Sequence, residues 1–277
     1  MAPLLVLAWI CALAGCGPPP ESRRLIERLN AGSLADRLRA VAVAQAHADE
    51  HVRRELLRLF EDVHQPPPLR GAAGGVLGAV HDRRVVASAI RQLPGAIVAS
   101  TSGPARAREQ DPHLLGRALT AYGPEALPAV TALLRDSRRE VVTWAIMHHG
   151  SYRQSDAALE VLGRYLSDKD VIYRRSAAFG LSLMNHARGE DTALRHLSDP
   201  DTEVRYNLAW ALLNSGSARS IQALEARMAV EKDVVVRDEI GKALGVIRRR
   251  QPSPGVPTHA GAAGAAGAPV AGTGSRP

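Results

Sequence analysis

The sequence predicts an all-α fold, a solenoid of about six to seven helix pairs, and three observations support it. Motifs of one type recur about every 31 residues along the body of the chain, which is typical of repeat architectures. Within each motif, apolar residues recur at helical spacing. Aromatic residues make up only 4% of the 277 residues, while 45% are hydrophobic; an Ala- and Leu-rich core suits closely packed helices better than a β-sandwich.

The first fifteen residues predict an export signal. Residues 2–14 form an apolar run without a charged side chain. This run is shorter than the roughly 20 residues that a transmembrane helix needs, and its length suits the apolar segment of a secretory signal peptide. It ends in Leu13-Ala14-Gly15-Cys16, which resembles the lipobox of bacterial lipoproteins. The resemblance implies a cleaved signal peptide over residues 1–15 and acyl chains, such as palmitate, on Cys16. The alternative is a buried N-terminal helix that contains this cysteine.

The cysteine content agrees with the lipoprotein interpretation. The chain has two cysteines, Cys11 and Cys16, so cleavage would leave Cys16 alone and exclude an intrachain disulfide. Residues 16–21, with three consecutive prolines, predict a short stiff spacer. The residue after the lipidated position is Gly17 rather than Asp. In diderm lipoproteins this resembles outer-membrane cargo, which implies a lipid-anchored protein that faces the periplasm.

Residues 22–250 contain the repeats. The clearest motif runs from Asp199 to Arg205, and similar motifs run from Asp168 to Arg174 and from Asp233 to Arg237. Near the start, Leu38-Arg39 and Leu69-Arg70 are also 31 residues apart. An Asp before an apolar-periodic run predicts a capped helix start. We expect each capped helix to be followed by a turn and a second amphipathic helix. One such pair cannot bury its apolar face alone, so the pairs must stack.

The pattern Asp-x-x-x-x-Val-Arg-x-x-Ala-x-x-Ala-Leu, with a Gly turn and a Leu-rich helix after it, resembles the HEAT-repeat family. The resemblance covers roughly residues 22–248 and implies an α-solenoid with an extended concave surface. Residues 94–112 break the period and predict an irregular loop, either a flexible insertion or a partner contact. Residues 251–277 are rich in Pro, Gly and Ala and predict a disordered tail.

Repeated charged residues are the first candidates for a functional set. They form either an internal ladder of ion pairs or, in the alternative interpretation, a basic stripe that binds an acidic ligand on the concave face. The ladder follows from the HEAT resemblance, in which the repeated Arg pairs with the Asp of its own or the next repeat. The candidate residues are Arg174, Arg205, Arg237, Asp170, Asp201 and Asp233.

Trp144 and Trp210 are candidate groove aromatics at matching positions two repeats apart, although packing in the core is the alternative. His47 and His51 would share a helix face, but a zincin motif needs Glu directly after the first His and Ala48 stands there. His148-His149 beside the Gly150 turn predict a capping or surface role. The sequence therefore predicts no catalytic residue, no metal site and no cofactor.

The formal net charge of +7 permits nucleic acid, anionic lipid or acidic proteins as partners, and an export signal removes the first of these. We expect a non-catalytic scaffold, anchored to a membrane by lipid, whose partner is an envelope protein or peptide. Two alternatives stay open if the chain is not exported. They are an accessory or lyase-type subunit for chromophore attachment and a nucleic-acid-binding solenoid.

Overall fold

A computed structural model describes residues 17–102, 112–186 and 188–250. Cys16, the predicted signal segment and residues 251–277 lie outside this part of the chain. Within it, all regular structure is helical, and two short 3₁₀ helices (Pro124–Ala126 and Leu133–Arg135) flank α7. The fourteen α-helices of the described residues are α1 (Pro20–Asn30), α2 (Leu34–Ala44), α3 (Glu50–Glu61), α4 (Pro67–Ala79), α5 (Arg83–Ser102), α6 (Pro112–Tyr122), α7 (Leu127–Ala132), α8 (Arg139–His149), α9 (Asp156–Tyr165), α10 (Val171–Leu183), α11 (Gly189–His196), α12 (Thr202–Ser215), α13 (Arg219–Val230) and α14 (Val234–Arg250).

Capping residues set the helix starts. Ser33 and Asp36 form a capping box at α2, and the side chains of Asp49 and Ser155 accept backbone N–H bonds at the starts of α3 and α9. α1 begins at Pro20, two residues before the solenoid was predicted to start, because proline fits the first turn of a helix, where its missing N–H costs nothing. The predicted spacer over residues 16–21 is therefore too long.

The helices form two layers. Each odd-numbered helix packs against the even-numbered helix that follows it, which gives seven pairs in the described part of the chain. Neighbouring even helices pack together more closely than neighbouring odd helices do. The even layer is therefore the inner layer of a curved stack. The pairing differs from the expected one, since α10, α12 and α14, the helices that carry the repeated Asp motif, each pair with the helix before them rather than the helix after them.

The even layer is interrupted once, between α6 and α8. Successive even helices are in close backbone contact elsewhere, whereas α6 and α8 are held apart by large side chains. A single apolar core nevertheless runs from Leu25 to Ile247. The long helix α5, which packs against both α6 and α8, bridges the interruption.

The irregular loop predicted from residue 94 is wrong for residues 94–102. α5 continues through Pro94 to Ser102, because Leu93, Ala96 and Ile97 keep the helical spacing and are buried in the core. The burial of that face outweighs the hydrogen bond that a proline removes from a helix. Residues 103–111, the rest of the predicted loop, lie outside the described residues. Across the described ranges, no helix combines the length and apolar character that crossing a membrane requires.

Candidate functional site

The repeated arginines lie four residues after the N-cap of their helices, on the side facing the preceding helix. Arg174, Arg205 and Arg237 follow the N-cap residues of α10, α12 and α14 at this spacing. Arg205 Nη1 donates to the carbonyl oxygens of Asp199 and Pro200, both at 2.9 Å. Arg174 and Arg237 likewise donate to carbonyls at the end of the preceding helix or in the turn after it. A guanidinium suits this position, where unpaired carbonyls carry partial negative charge.

Two of these arginines also bind a carboxylate that lies two residues before the next N-cap. Arg174 Nε is 2.9 Å from Asp199 Oδ2. Arg205 binds Glu231 through two bonds, Nε to Oε2 at 2.7 Å and Nη2 to Oε1 at 2.9 Å. Arg205 lowers the pKa of Glu231 to about 2. The donors of these arginines are thus directed into the protein, so they do not form a basic stripe on the inner face.

The three repeated aspartates cap helices, as the motif predicted, but they do not bind the repeated arginines as the ladder interpretation expected. Asp170, Asp201 and Asp233 are the N-caps of α10, α12 and α14 and accept backbone N–H bonds there. Other arginines bind two of them across neighbouring pairs. Arg139 binds Asp170, and Arg175 binds Asp201 at 2.6 and 3.0 Å. The backbone N–H of Ile172, followed by Arg139, holds the pKa of the Asp170 carboxyl below its usual value, and Arg175, followed by the backbone N–H of Val204, does the same for Asp201.

The arginines that follow a helix N-cap by four residues form one set, the arginine ladder, and the sequence analysis missed one of its members. Four residues after Ser33, the N-cap of α2, stands Arg37, whose Nε donates to the carbonyl of Leu29 at 2.7 Å. The equivalent residue in α4 is Arg70, whose Nε donates to the carbonyl of Phe60 at 3.1 Å. The predicted match of Arg39 with Arg70 is wrong, since Arg39 is exposed and pairs with Asp36 of its own helix. Counting from the N-cap, rather than by a fixed period, would have found Arg37.

An apolar strip lies on the inner face, which we define as the exposed side chains of the even helices. Its residues, Met147, Phe179 and Trp210, each follow the N-cap of their helix by nine positions, on α8, α10 and α12. Phe179 is 38% exposed, and Met147 and Trp210 are partly exposed. The rings of Phe179 and Trp210 meet edge to face with centroids 6.4 Å apart. In α14 the equivalent residue is Lys242, so the strip ends at a cation.

Polar groups fix one edge of the apolar strip. Arg175 precedes Phe179 by one helical turn and bridges to α12 through Asp201 and Glu203, the latter at 3.1 Å. Tyr206, one turn before Trp210, occupies the same position in α12 and is partly exposed. The ion pairs leave the aromatic rings uncovered while they tie the two helices together. This arrangement can bind an apolar or aromatic group that crosses from one helix to the next.

Trp144 and Trp210 do not occupy matching positions. Trp144 follows its N-cap by six residues rather than nine, and its side chain is buried between α8 and α6. It stacks on His148 at a centroid distance of 4.4 Å and an angle of 16°. Gly116 of α6 admits both rings, because a Cβ there would lie 2.8 to 2.9 Å from them. Trp144 therefore fills the interruption in the even layer, and Trp210 alone lies in the groove.

The predicted capping or surface role of His148 and His149 is wrong. His149 is completely buried, and its Nδ1 and Nε2 lie 2.6 Å from the carbonyl of Ala145 and 3.1 Å from Thr131 Oγ1. Burial lowers the pKa of both imidazoles, to about 4 for His148, where the charges of His149 and His113 add to the effect.

His47 lies in the turn before α3, so it does not share a helix face with His51. In the described ranges, no three His, Cys, Asp or Glu side chains are grouped so as to hold a metal ion. Cys16, the predicted lipidation site, lies outside the described residues.

The family model for HEAT repeats matches residues 159–245, from α9 into α14. This part of the chain consists of HEAT-like repeats. The match covers the pairs in which the arginine ladder and the aromatic part of the apolar strip occur together. The motifs between Asp168 and Leu244 therefore carry the recognisable HEAT pattern, as the sequence predicted for this segment.

Several solved structures are distantly similar to this chain. A chain of the complex of CpcE and CpcF of phycocyanin lyase from Nostoc is 20% identical, with 56% of this chain and 98% of that chain covered and a TM-score of 0.45. Human deoxyhypusine hydroxylase in complex with glycerol is 18% identical, with coverages of 86% and 88% and a TM-score of 0.39. A designed armadillo repeat protein in complex with the peptide (KR)4 is 16% identical, with coverages of 81% and 98% and a TM-score of 0.41. No curated protein matches the sequence.

Proposed function

We propose that this protein is a non-catalytic, membrane-anchored scaffold of the bacterial cell envelope, whose inner face binds another envelope protein or peptide. The single observation that carries the binding role is the apolar strip. Phe179 is 38% exposed and Trp210 is partly exposed, and their rings lie edge to face on two neighbouring helices of the inner face. Exposed aromatic rings in a concave surface are typical anchors of protein–protein interfaces.

The hydrogen bonds that the arginines already make within the protein favour a protein partner over a polyanion. A phosphate backbone is bound mainly by unpaired Lys and Arg side chains. On α10, α12 and α14, the repeated arginines donate to carbonyls, and two of them bind carboxylates of the same protein. Arg175, the cation beside the strip, is neutralised by Asp201 and Glu203. The binding chemistry that this face offers is therefore apolar and aromatic.

The anchor is proposed from the sequence alone. Leu13-Ala14-Gly15-Cys16 resembles a lipobox, and α1 begins at Pro20, four residues after Cys16. Four residues span at most about 14 Å, so a lipid on this cysteine would keep the first helix pair close to the bilayer. Gly17 favours the outer membrane and an orientation toward the periplasm. The apolar strip on α8 to α12 would then lie in the half of the stack distant from the anchor.

Metabolic labelling with a fatty-acid analogue tests the anchor. We expect label on the wild type and on Cys11→Ala, which serves as a matched control, and loss of label from Cys16→Ala. Equal labelling of the Cys16→Ala variant would contradict the anchor, as would an unlabelled wild type that fractionates with the cytoplasm.

Quantitative co-purification from cross-linked membranes tests the binding face. We expect Phe179→Ala/Trp210→Ala to lose envelope proteins that the wild type recovers, because truncation of two central anchors removes most of an interface's affinity. Glu160→Ala/Gln222→Ala, which alters exposed residues of the odd layer, is the matched control and should recover the same proteins as the wild type. Undiminished recovery by the aromatic variant would refute the proposed face.

A further inference from the structure

The arginine ladder ends at α14 without a carboxylate. Arg174 and Arg205 are largely buried, and each binds a carboxylate from the turn before the next even helix. Arg237 is their equivalent in α14, but its side chain is exposed. Among the described residues, its guanidinium donates only to carbonyl oxygens. The last member of the ladder therefore lacks the partner that the other two have.

Arg237 presents the same donors that bind carboxylates elsewhere in the ladder. In Arg205, Nη1 donates to two carbonyl oxygens, while Nε and Nη2 bind the two oxygens of Glu231 at 2.7 and 2.9 Å. In Arg237, Nη1 likewise donates to two carbonyl oxygens, those of Met228 and Glu231, both at 3.1 Å. Nε and Nη2 of Arg237 are left for a ligand, and this fork of donors matches the two oxygens of a carboxylate.

Two exposed valines flank this guanidinium. Val230 stands in the sequence between the two residues whose carbonyls bind Arg237, and Val234 lies one helical turn before Arg237 on the same side of α14. Val234 is 75% exposed and Val230 is 63% exposed. The equivalent positions beside the turn before α12 hold Ser198 and Thr202. Because the terminal pair of a solenoid needs a polar outer face to stay soluble, exposed valines here indicate a surface that a partner covers.

The charge at this end favours an acidic partner over a second copy. Residues 219–250 carry eight Lys or Arg against five Asp or Glu, so two such ends would repel each other. The first helix pair of a second copy would not continue the ladder either, because Ala31 stands two residues before Ser33, the N-cap of α2, where the ladder has a carboxylate. Residues 251–277 contain no Asp or Glu, so their side chains offer no carboxylate.

We propose that the α14 end of the stack is a second binding surface, which binds an acidic segment of another protein. A carboxylate of that segment binds Nε and Nη2 of Arg237, and an apolar side chain next to it covers Val230 and Val234. The partner thereby continues the ladder by one repeat. Arg237 and Lys242, where the apolar strip ends, are five positions apart and lie on different sides of α14. The surface is therefore separate from the strip and does not depend on the proposed function.

NMR of the arginine Nε–H groups in the full-length protein tests this surface. The probe is a synthetic peptide with blocked ends and the sequence of residues 228–235, which includes the carboxylate that binds Arg205 within the chain. We expect the Nε–H signal of Arg237 to shift as the peptide is added at millimolar concentration. The same peptide with Glu231→Gln should bind about tenfold more weakly, because it loses a charge-assisted pair. The absence of a shift, or equal affinities for the two peptides, would overturn the proposal.

Variants of the protein separate this surface from a general effect of charge. Arg237→Gln should lower the affinity for the peptide about tenfold, and Val230→Ser/Val234→Thr, which introduces the residues of the preceding turn, should also weaken binding. Arg249→Gln removes an exposed cation from the same helix, and as the matched control it should bind like the wild type. Equal affinities of Arg237→Gln and Arg249→Gln would overturn the proposal. Circular dichroism verifies that each variant keeps its helices, and the comparison of the two peptides needs only the wild-type protein.

Sedimentation velocity distinguishes an acidic partner from a second copy. We expect the wild type to sediment as a monomer. Self-association that Arg237→Gln abolishes would overturn the proposal, because a second copy would then occupy this end. Phe179→Ala/Trp210→Ala should bind the peptide like the wild type. If the peptide does not bind while this aromatic variant still loses its envelope partner, the inference about Arg237 fails and the proposed function stands.

Discussion

Arg205 and Glu231 form a buried, two-bond ion pair that links α12 to the turn before α14. The side chains are 9% and 1% exposed. Glu231 also accepts the backbone N–H groups of Lys232 and Asp233 and binds Arg227. The pair therefore orders the turn that connects α13 to α14 while it ties the last two helix pairs together.

Removal of one partner should cost far more than removal of an exposed pair. We expect Arg205→Met to lower the free energy of unfolding by about 3–5 kcal/mol, because it leaves Glu231 buried without its main counterion. Arg248→Ala, which breaks an exposed pair with Glu225, should cost less than about 1 kcal/mol. Urea titrations followed by circular dichroism measure both values. A similar small loss in the two variants would contradict the assigned role of the buried pair.

The imidazole of His148 should make the free energy of unfolding depend on pH. The folded pKa of His148 is about 4, below its ordinary value of 6.5, so protonation favours the unfolded chain. Stability should therefore fall as the pH drops from about 6.5 toward 4, by about 2–3 kcal/mol from this group at pH 4.

His148→Phe keeps a ring on Trp144 and should flatten this part of the pH profile. His64→Gln, at an exposed position, is the control and should leave the profile as in the wild type. Denaturant titrations between pH 4 and 8 provide the comparison. A profile of His148→Phe that is as steep as the wild type would show that His148 is not the titrating group.

Alanine at Gly150, the C-cap of α8, and alanine at Gly75, inside α4, should change the stability of the fold in opposite directions. A Cβ added at Gly150 would lie only 2.2 Å from the backbone carbonyl oxygen of Gly180, where α8 meets α10. We expect Gly150→Ala to destabilise the fold by about 3 kcal/mol, as overpacking does. Gly75, inside α4, has no atom within 4 Å of its added Cβ, so Gly75→Ala should stabilise by about 0.5–1 kcal/mol. Thermal unfolding of the two variants measures the contrast, and a common sign of the shift would refute it.

The cap of the last helix gives a separate measurement of the Asp motif. Asp233 accepts the backbone N–H groups of Val235 and Val236 at 2.9 and 3.1 Å. We expect Asp233→Ala to lower stability by about 1 kcal/mol, and Asp233→Asn, which keeps an accepting oxygen, to retain most of it. Equal losses in the two variants would indicate that the charge, rather than the cap, matters at this position.

The repeat pattern predicted the parts of the fold that depend on local chemistry. The helix pairs and the capped helix starts could be predicted from the Asp and Arg motifs and from the apolar spacing, because these features involve residues only a few positions apart in the sequence. The partners of the ladder were not predicted from the motif, since Asp199 and Glu231 reach Arg174 and Arg205 only when successive pairs stack. The helix through Pro94 and the burial of His148 and Trp144 also depend on packing between elements distant in sequence.

Only part of the apolar strip could be predicted from the sequence. Trp210 was identified as a candidate, but its neighbour Phe179 was not, because the alignment of repeats by period matched Trp210 with Trp144. Counting positions from each N-cap instead brings Met147, Phe179 and Trp210 to one register. The three-dimensional structure supplies that register directly.

The interruption at α6 and α8 divides the stack into two segments that are joined by different means. In α8 the ladder position holds Val142 instead of arginine, and rings packed on Gly116 replace the close backbone contact found elsewhere in the layer. Such a joint depends on the shape of a few large side chains. When the two ends of the molecule are pulled in opposite directions, the rupture should start there, so that the N-terminal segment stays folded while the C-terminal segment separates from it as an intact body.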